Sequence, residues 1–178
     1  FDFTKIKTFE DALTALGYEE STKAYIRNTI NDISIYSRAS AAMCKLNIIR
    51  KALNLGQDLH LTKDPEGSHI YYPYNPFVTK SSTLYKNEIN SGKVEIIGKI
   101  KSEGEEYNVI SSITIPNNYA GLGSFTFYGK VGFADASIGF LGCVSKEIAQ
   151  HFSKYFGMLI TEAKFGDLPD FEIIESKY

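Results

Sequence analysis

The sequence predicts one α+β domain in which N-terminal helices and a C-terminal helix frame a curved antiparallel β-meander of about four to five strands. Three observations lead there. Apolar residues recur every three or four positions before residue 56 and again after residue 145, as on the buried stripe of a helix. Between about 93 and 144 the recurrence tightens to every second position, the period of a strand with one face covered. At 178 residues, 43% hydrophobic and 22% charged, the chain is sized to close one core over 1–178.

The helical part spans about 8–56. Thr8-Phe9-Glu10-Asp11 sets a hydroxyl cap before acidic first-turn residues, Leu13 and Leu16 follow at helical spacing, and Gly17 supplies a left-handed stop. Ser21 caps a second segment to about Asn28. From Asp32 a longer helix carries Ile35, Ala39, Ala42, Leu46, Ile49 and Leu53 on one stripe, with small residues Ala39 to Ala42 that invite close packing.

An aromatic and proline-rich loop is predicted over 57–92. Asp64-Pro65-Glu66-Gly67 is a turn signal. The prolines in Tyr71-Tyr72-Pro73-Tyr74-Asn75-Pro76-Phe77 argue against a central strand and for an edge strand or a loop laid on the core.

The sheet is predicted over 93–144. Val94, Ile96, Gly98 and Ile100 alternate with Glu95, Ile97, Lys99 and Lys101, and Ser102-Glu103-Gly104-Glu105 turns the chain into Tyr107 to Ile115. After the loop Pro116 to Gly123, Phe125 to Phe133 alternate again, and Asp135-Ala136-Ser137 turns the chain into a last strand, Ile138 to Val144. Gly129, Gly132, Gly139 and Gly142 point to bulges and a strongly bent sheet.

Ser145 caps the closing helix, 145–165, and Ile148, Phe152, Phe156, Leu159 and Ala163 form its buried face up to the stop at Gly166. Residues 166–178 read as a surface tail.

A net charge of −2, from 19 basic and 21 acidic residues spread along the chain, produces no whole-protein field toward nucleic acid or anionic lipid. Cys44 and Cys143 are the only cysteines and form no disulfide framework, so both are expected reduced and buried. No run of about 18 apolar residues is present, and Phe1 to Lys5 lacks the order of a signal peptide, which makes the cytoplasm the expected compartment and a membrane partner unexpected.

His60, His69 and His151 are scattered without ligand spacing, so no metal site is expected. Gly121-Leu122-Gly123-Ser124 resembles part of a phosphate loop but precedes a strand and lacks the lysine. Cys143 stands just before a helix N-terminus, with His151 nearby in sequence, yet Phe140, Leu141 and Val144 around it favour a buried protonated thiol. Glu103, Glu105 and Glu106 fall on a hairpin tip and read as solvated. Catalytic residues and cofactors are therefore expected to be none.

The unusual feature is aromatic: 12 Tyr and 12 Phe without Trp, densest from Tyr71 to Phe77. Tyr71, Tyr72, Tyr74 and Phe77, followed by Lys80 and Lys86, form the candidate binding set, because rings beside cations stack bases or anchor a protein partner. The alternative is that these rings finish the core, and the same choice applies to Tyr107, Tyr119 and Tyr128.

Thr8 to Gly17, Ile49-Arg50-Lys51-Ala52-Leu53-Asn54 together with Tyr71-Tyr72-Pro73-Tyr74, and Ser145 to Ala149 with Phe152 and Phe156 resemble a family of short uncharacterised proteins of Bacteroidetes genomes and their phages and mobile elements. That family carries tryptophan where this chain has Tyr74, and the segment from about Lys80 to Thr114 is an enlargement of its pattern. The resemblance implies a phage or prophage context and carries over no activity, cofactor or site residue.

Together these observations favour a non-enzymatic binding or interaction protein, with a protein partner or self-association first. The alternatives are an accessory nucleic-acid-binding protein, through the aromatic and lysine set, and a small nucleotide-binding or sequestering protein, through 117–124.

Overall fold

The computed structural model describes residues 1–55, 73–111, 135–137 and 141–178. After a single 3-10 turn at Phe3–Lys5, α1 spans Phe9–Ala15. Its start is a capping box: the Asp11 amide donates to Thr8 Oγ1 at 3.1 Å, and the Thr8 amide donates to Asp11 Oδ2 at 2.9 Å. Its end is a Schellman turn, in which Tyr18 N–H reaches Leu13 O and Gly17, at φ 72°, donates to Thr14 O.

Helix α2 runs Glu20–Tyr36 and α3 runs Arg38–Leu53. The expected break near residues 28–32 is thus corrected to Ser37. Ser37 takes an extended backbone, accepts from the Ser40 amide at 2.9 Å and donates to Asp167 Oδ2, while Asp167 Oδ1 accepts the Ala39 amide at 3.1 Å. A carboxylate from far along the chain thereby helps cap α3, which no local pattern announces. Ile35, assigned to the buried stripe, is 77% exposed at the end of α2, where Ile30 is the only buried residue. Ala42, Leu46, Ile49 and Leu53 of the same stripe are buried as expected.

Among the described residues five strands follow: β1 Tyr74–Thr79, β2 Ile96–Ser102, β3 Glu105–Ile110, β4 Asp135–Ser137 and β5 Glu172–Ser176. The short helix α4, Lys86–Asn90, lies between β1 and β2, and α5, Lys146–Phe165, between β4 and β5. The sheet order is β4-β1-β3-β2-β5 and every pairing is antiparallel. The α+β class, with an antiparallel sheet and a C-terminal helix packed on it, is the one expected; β1, from outside the expected sheet, takes the side of β3 away from β2.

Two further corrections concern elements outside 93–144. The segment from Tyr74 is a strand paired on both sides, despite Pro76. The proline is tolerated because the ladders divide the strand: 74–76 pair with β4 and 77–79 with β3, so it stands where one ladder gives way to the other. The tail is not free either, since Glu172–Ser176 adds a strand to β2.

The β2–β3 hairpin is the one expected, closed by Glu103 at φ 51° and Gly104 at φ 82°, the pair of left-handed residues a tight two-residue turn requires. A bulge between Ile96 and Gly98 shifts the alternation, so Ile97 is buried at 1% exposure while Ile96 is 36% exposed. The anticipated strand at 125–133 and the glycines Gly129, Gly132 and Gly139 lie outside the described residues, Asp135-Ala136-Ser137 is corrected from a turn to a strand because it pairs with Tyr74 to Pro76, and 141–144 form no continuous strand.

Helix α5 sits between α3 on one side and the sheet on the other. Ser145 caps it, accepting from the Ile148 amide at 3.2 Å. The expected face, including Phe152 and Phe156, joins Leu46 and Ile49 in the main core. Ser153, Gly157 and Thr161 are buried as well and fall on a second face, small enough for β1 to approach closely.

Both ends of the described chain are tied to α5. His151 Nε2 lies 2.6 Å from Ile6 O, with the ring against Phe3 and Tyr155. Burial lowers the His151 pKa, so a neutral ring donates to that carbonyl. At the other end Glu95 accepts from Lys154 at 2.7 Å, from Lys177, and from the Tyr178 hydroxyl at 3.0 Å.

Burial works to raise the Glu95 pKa, but the three donors outweigh it and hold the carboxyl at about 2. A folded pKa below the ordinary 4.5 stabilises the protein above that value, and the contribution is lost as pH falls from 4.5 toward 2. Glu95→Gln is expected to cost about 1 kcal/mol at pH 7, a figure reduced for the solvent that reaches the pair. In urea titrations the gap from wild type should narrow below pH 4.5 and close only at about pH 2 and below; a gap of constant size down to that pH would refute the assignment.

Candidate functional site

Strand alternation divides the candidate binding set. Phe77 points into the core, 9% exposed, with its ring centroid 5.8 Å from that of Phe165. Its place in a binding surface is therefore corrected to a place in the core. The next positions, Val78 and Lys80, belong to the opposite, outer face. Tyr74 contributes backbone pairing to Ser137, and Tyr71 and Tyr72 lie outside the described residues.

The outer face is built in rows. Register places Val78, Asn108, Lys99 and Glu175 abreast on β1, β3, β2 and β5. Two residues along, Glu106, Lys101 and Glu172 form the next row, and Lys80, just past the end of β1, forms an ion pair with Glu106. Charges of opposite sign therefore alternate across the sheet, each cation facing a carboxylate. Lys80 holds the Glu106 carboxyl below its usual range.

At the β1 end this face is partly roofed. Thr79 ends the strand, the loop Lys80-Ser81-Ser82-Thr83-Leu84 turns over it, and α4 packs back. Tyr85, at φ 63°, adopts the left-handed backbone that starts this return. Tyr85 and Ile89 then pack on Val78, Val94 and Ile110, a small apolar cluster separate from the main core. The loop is pinned locally: Ser82 N–H donates to Thr79 O at 3.0 Å, and Ser82 Oγ accepts the Leu84 amide at 3.1 Å.

Between loop, α4 and β3 lies a cleft of about 270 Å³. Its cations are Lys80 and Lys86, its hydroxyls Thr79, Ser81, Ser82 and Thr83, its amides Asn90 and Asn108, and its apolar walls Val78, Leu84 and Ile89. Lys86 makes no ion pair among the described residues, whereas Lys80 is shared with Glu106. Such a lining offers many donors and two positive charges beside a small greasy surface, which suits an oxygen-rich anion.

Of the six candidate residues, then, the fold brings Lys80 and Lys86 to one cleft and sends Phe77 elsewhere. Asn90, Asn108 and the hydroxyl run were not anticipated. The signal that reveals the hydroxyls is the sequence Thr79 to Thr83 itself, four hydroxyl residues in five positions between two apolar strands. Asn108 becomes visible only through its register with Val78.

The other residues considered for chemistry have structural surroundings. Cys143 is fully buried, and burial pushes its thiol up to about 12 even though Arg50 pulls the other way, so it remains protonated. Cys44 is partly buried where a buried thiol was expected. Tyr107 is partly buried against the main core. His60, His69, Tyr119, Tyr128 and the 117–124 loop lie outside the described residues. Among the described residues, no group of three or more His, Cys, Asp or Glu is placed to hold a metal ion, and no helix is long and apolar enough to cross a membrane.

Comparison with protein-family models, curated proteins and solved structures returns no match.

Proposed function

We propose that this chain is a non-enzymatic binding protein that meets its partner with the outer face of its sheet, centred on the cleft beside α4. The observation that supports this reading is the cleft: cations, hydroxyls and amides gathered over Val78 and Ile89, next to rows of exposed charge. Polar groups held on a rigid sheet favour recognition because little side-chain order has to be gained on binding. The phage or mobile-element context implied by the family resemblance makes a host protein the first partner to try.

Charge reversal gives the test. Immobilised full-length chain is compared with Lys86→Glu/Lys101→Glu, on the outer face, and with Lys51→Glu, on α3. Wild type and Lys51→Glu are expected to retain the same bound species, and the double variant to lose it. Equal retention by all three would remove the outer face from the reading.

A second reading, an accessory binder of single-stranded nucleic acid, draws support from the meeting of Lys80 and Lys86 at one cleft. Two phosphate contacts would give a slope of log affinity against log salt of about −1.4. The alternating charges of the outer face work against this reading, since carboxylates accompany Lys80, Lys99 and Lys101 along the strand's path.

A further inference from the structure

We propose that the cleft binds a small phosphomonoester of the sugar-phosphate class, an inference that rests on the cleft being the binding site. Four properties of the lining lead to this ligand.

The first is charge. Two lysines match a dianionic phosphate, and the hydroxyls of the loop supply further donors for its terminal oxygens. Lys86, without a protein carboxylate among the described residues, is the cation available to a ligand, while Glu106 already engages Lys80.

The second is size. About 270 Å³ falls just under the range usual for drug-sized ligands, roughly 300 to 1,000 Å³, so a phosphate with one short ring or chain fits the volume better than a dinucleotide.

The third is the mixed wall. Asn90 and Asn108 offer both donors and acceptors, as hydroxyl groups of a polyol require, and Val78 and Ile89 offer a surface for the C–H face of a sugar. A bare anion would use neither.

The fourth is support. Val78 and Asn108 stand abreast on paired strands, and Ile89 of the roofing helix packs into the apolar cluster around Val78. Those parts of the wall are fixed before any ligand arrives.

Isothermal titration of the full chain at low salt tests the proposal with glucose 6-phosphate, glucose, inorganic phosphate and a short single-stranded oligonucleotide. Saturable binding of the sugar phosphate is expected, with glucose and inorganic phosphate each at least about tenfold weaker. Lys86→Gln should weaken the sugar phosphate about tenfold, the loss of one charge-assisted contact. Glu106→Gln should tighten it about two- to threefold by removing a nearby negative charge. Lys51→Gln should leave it unchanged.

Inorganic phosphate binding as tightly as the ester would overturn the sugar-phosphate assignment in favour of a simple anion site. Tighter binding of the oligonucleotide, with a steep salt dependence, would overturn it in favour of a nucleic-acid site. No saturable binding by any probe would also overturn it, while leaving the charge-reversal result to decide the binding-protein reading separately. Lys86 and Glu106 are exposed, so matching thermal transitions should confirm that each variant is folded.

Discussion

Asn75→Ala is expected to destabilise the fold by about 3 kcal/mol, because a single amide joins β1 to both β3 and α5. Asn75 is fully buried, and its Nδ2 donates to Ile110 O at 2.9 Å, Ser153 O at 3.1 Å and Ser153 Oγ at 2.9 Å. Alanine leaves a void and removes the donor from those acceptors. Part of the loss is returned, since Asn75 Oδ1 is buried without a partner among the described residues and disappears with the side chain.

The neighbour that makes room for this amide is Gly157. A Cβ there would stand 2.5 Å from Asn75 Nδ2 and 2.4 Å from Ile97 Cδ1, so Gly157→Ala should cost about 1 to 3 kcal/mol despite alanine's better helix propensity. The two substitutions should not add. With alanine at position 75 the new methyl gains space, and the double variant should be about 1 kcal/mol more stable than the sum predicts. Urea denaturation of the four proteins measures this coupling, and strict additivity would show that the two side chains do not share one packing problem.

Phe152→Ala is expected to cost about 4 kcal/mol, the usual scale for a large ring removed from a closed core. Phe152 is fully buried in α5, edge-to-face with Phe156 at 5.7 Å, in the cluster that includes Leu46, Ile49 and Leu141. Against the 5 to 15 kcal/mol typical of a domain, that is a large share. The denaturation midpoint should fall with the m-value unchanged. A loss under about 1.5 kcal/mol would mean that the core collapses around the vacancy instead of keeping it.

Local signals were legible where the chain satisfies itself over a few residues. Thr8 with Asp11, Gly17, Ser145 and the Glu103-Gly104 turn are such cases, and the helix ends and hairpin they predict are present. What escaped is decided by partners remote in sequence. The α2–α3 break depends on Asp167, the tail strand on a free edge of β2, and the strand through Pro76 on two half-ladders that meet there. Helix α5 showed only its large apolar face because Ser153, Gly157 and Thr161, which face the sheet, do not look like core residues by type.

The candidate site was legible to the same extent. Its lysines were picked out beside aromatic rings, on the reasoning that adjacent residues form one surface. A strand defeats that reasoning, for Phe77 and Val78 face opposite ways and only every second residue shares a side. Asn108 and Glu106 were beyond reach because pairing register, not sequence distance, puts them beside Val78 and Lys80.

The placement of α5 between α3 and the sheet also bears on how the chain is made. Helix α3 leaves the ribosome before α5, and the segments that form β1 to β4 are synthesised between them. At ordinary elongation rates the interval is roughly five to twenty seconds. Throughout it, Leu46, Ile49 and Leu53 lack the helix that covers them in the finished fold. The apolar stripe of α3 therefore stays without that cover until α5 is made, which puts burial of the main core late in synthesis.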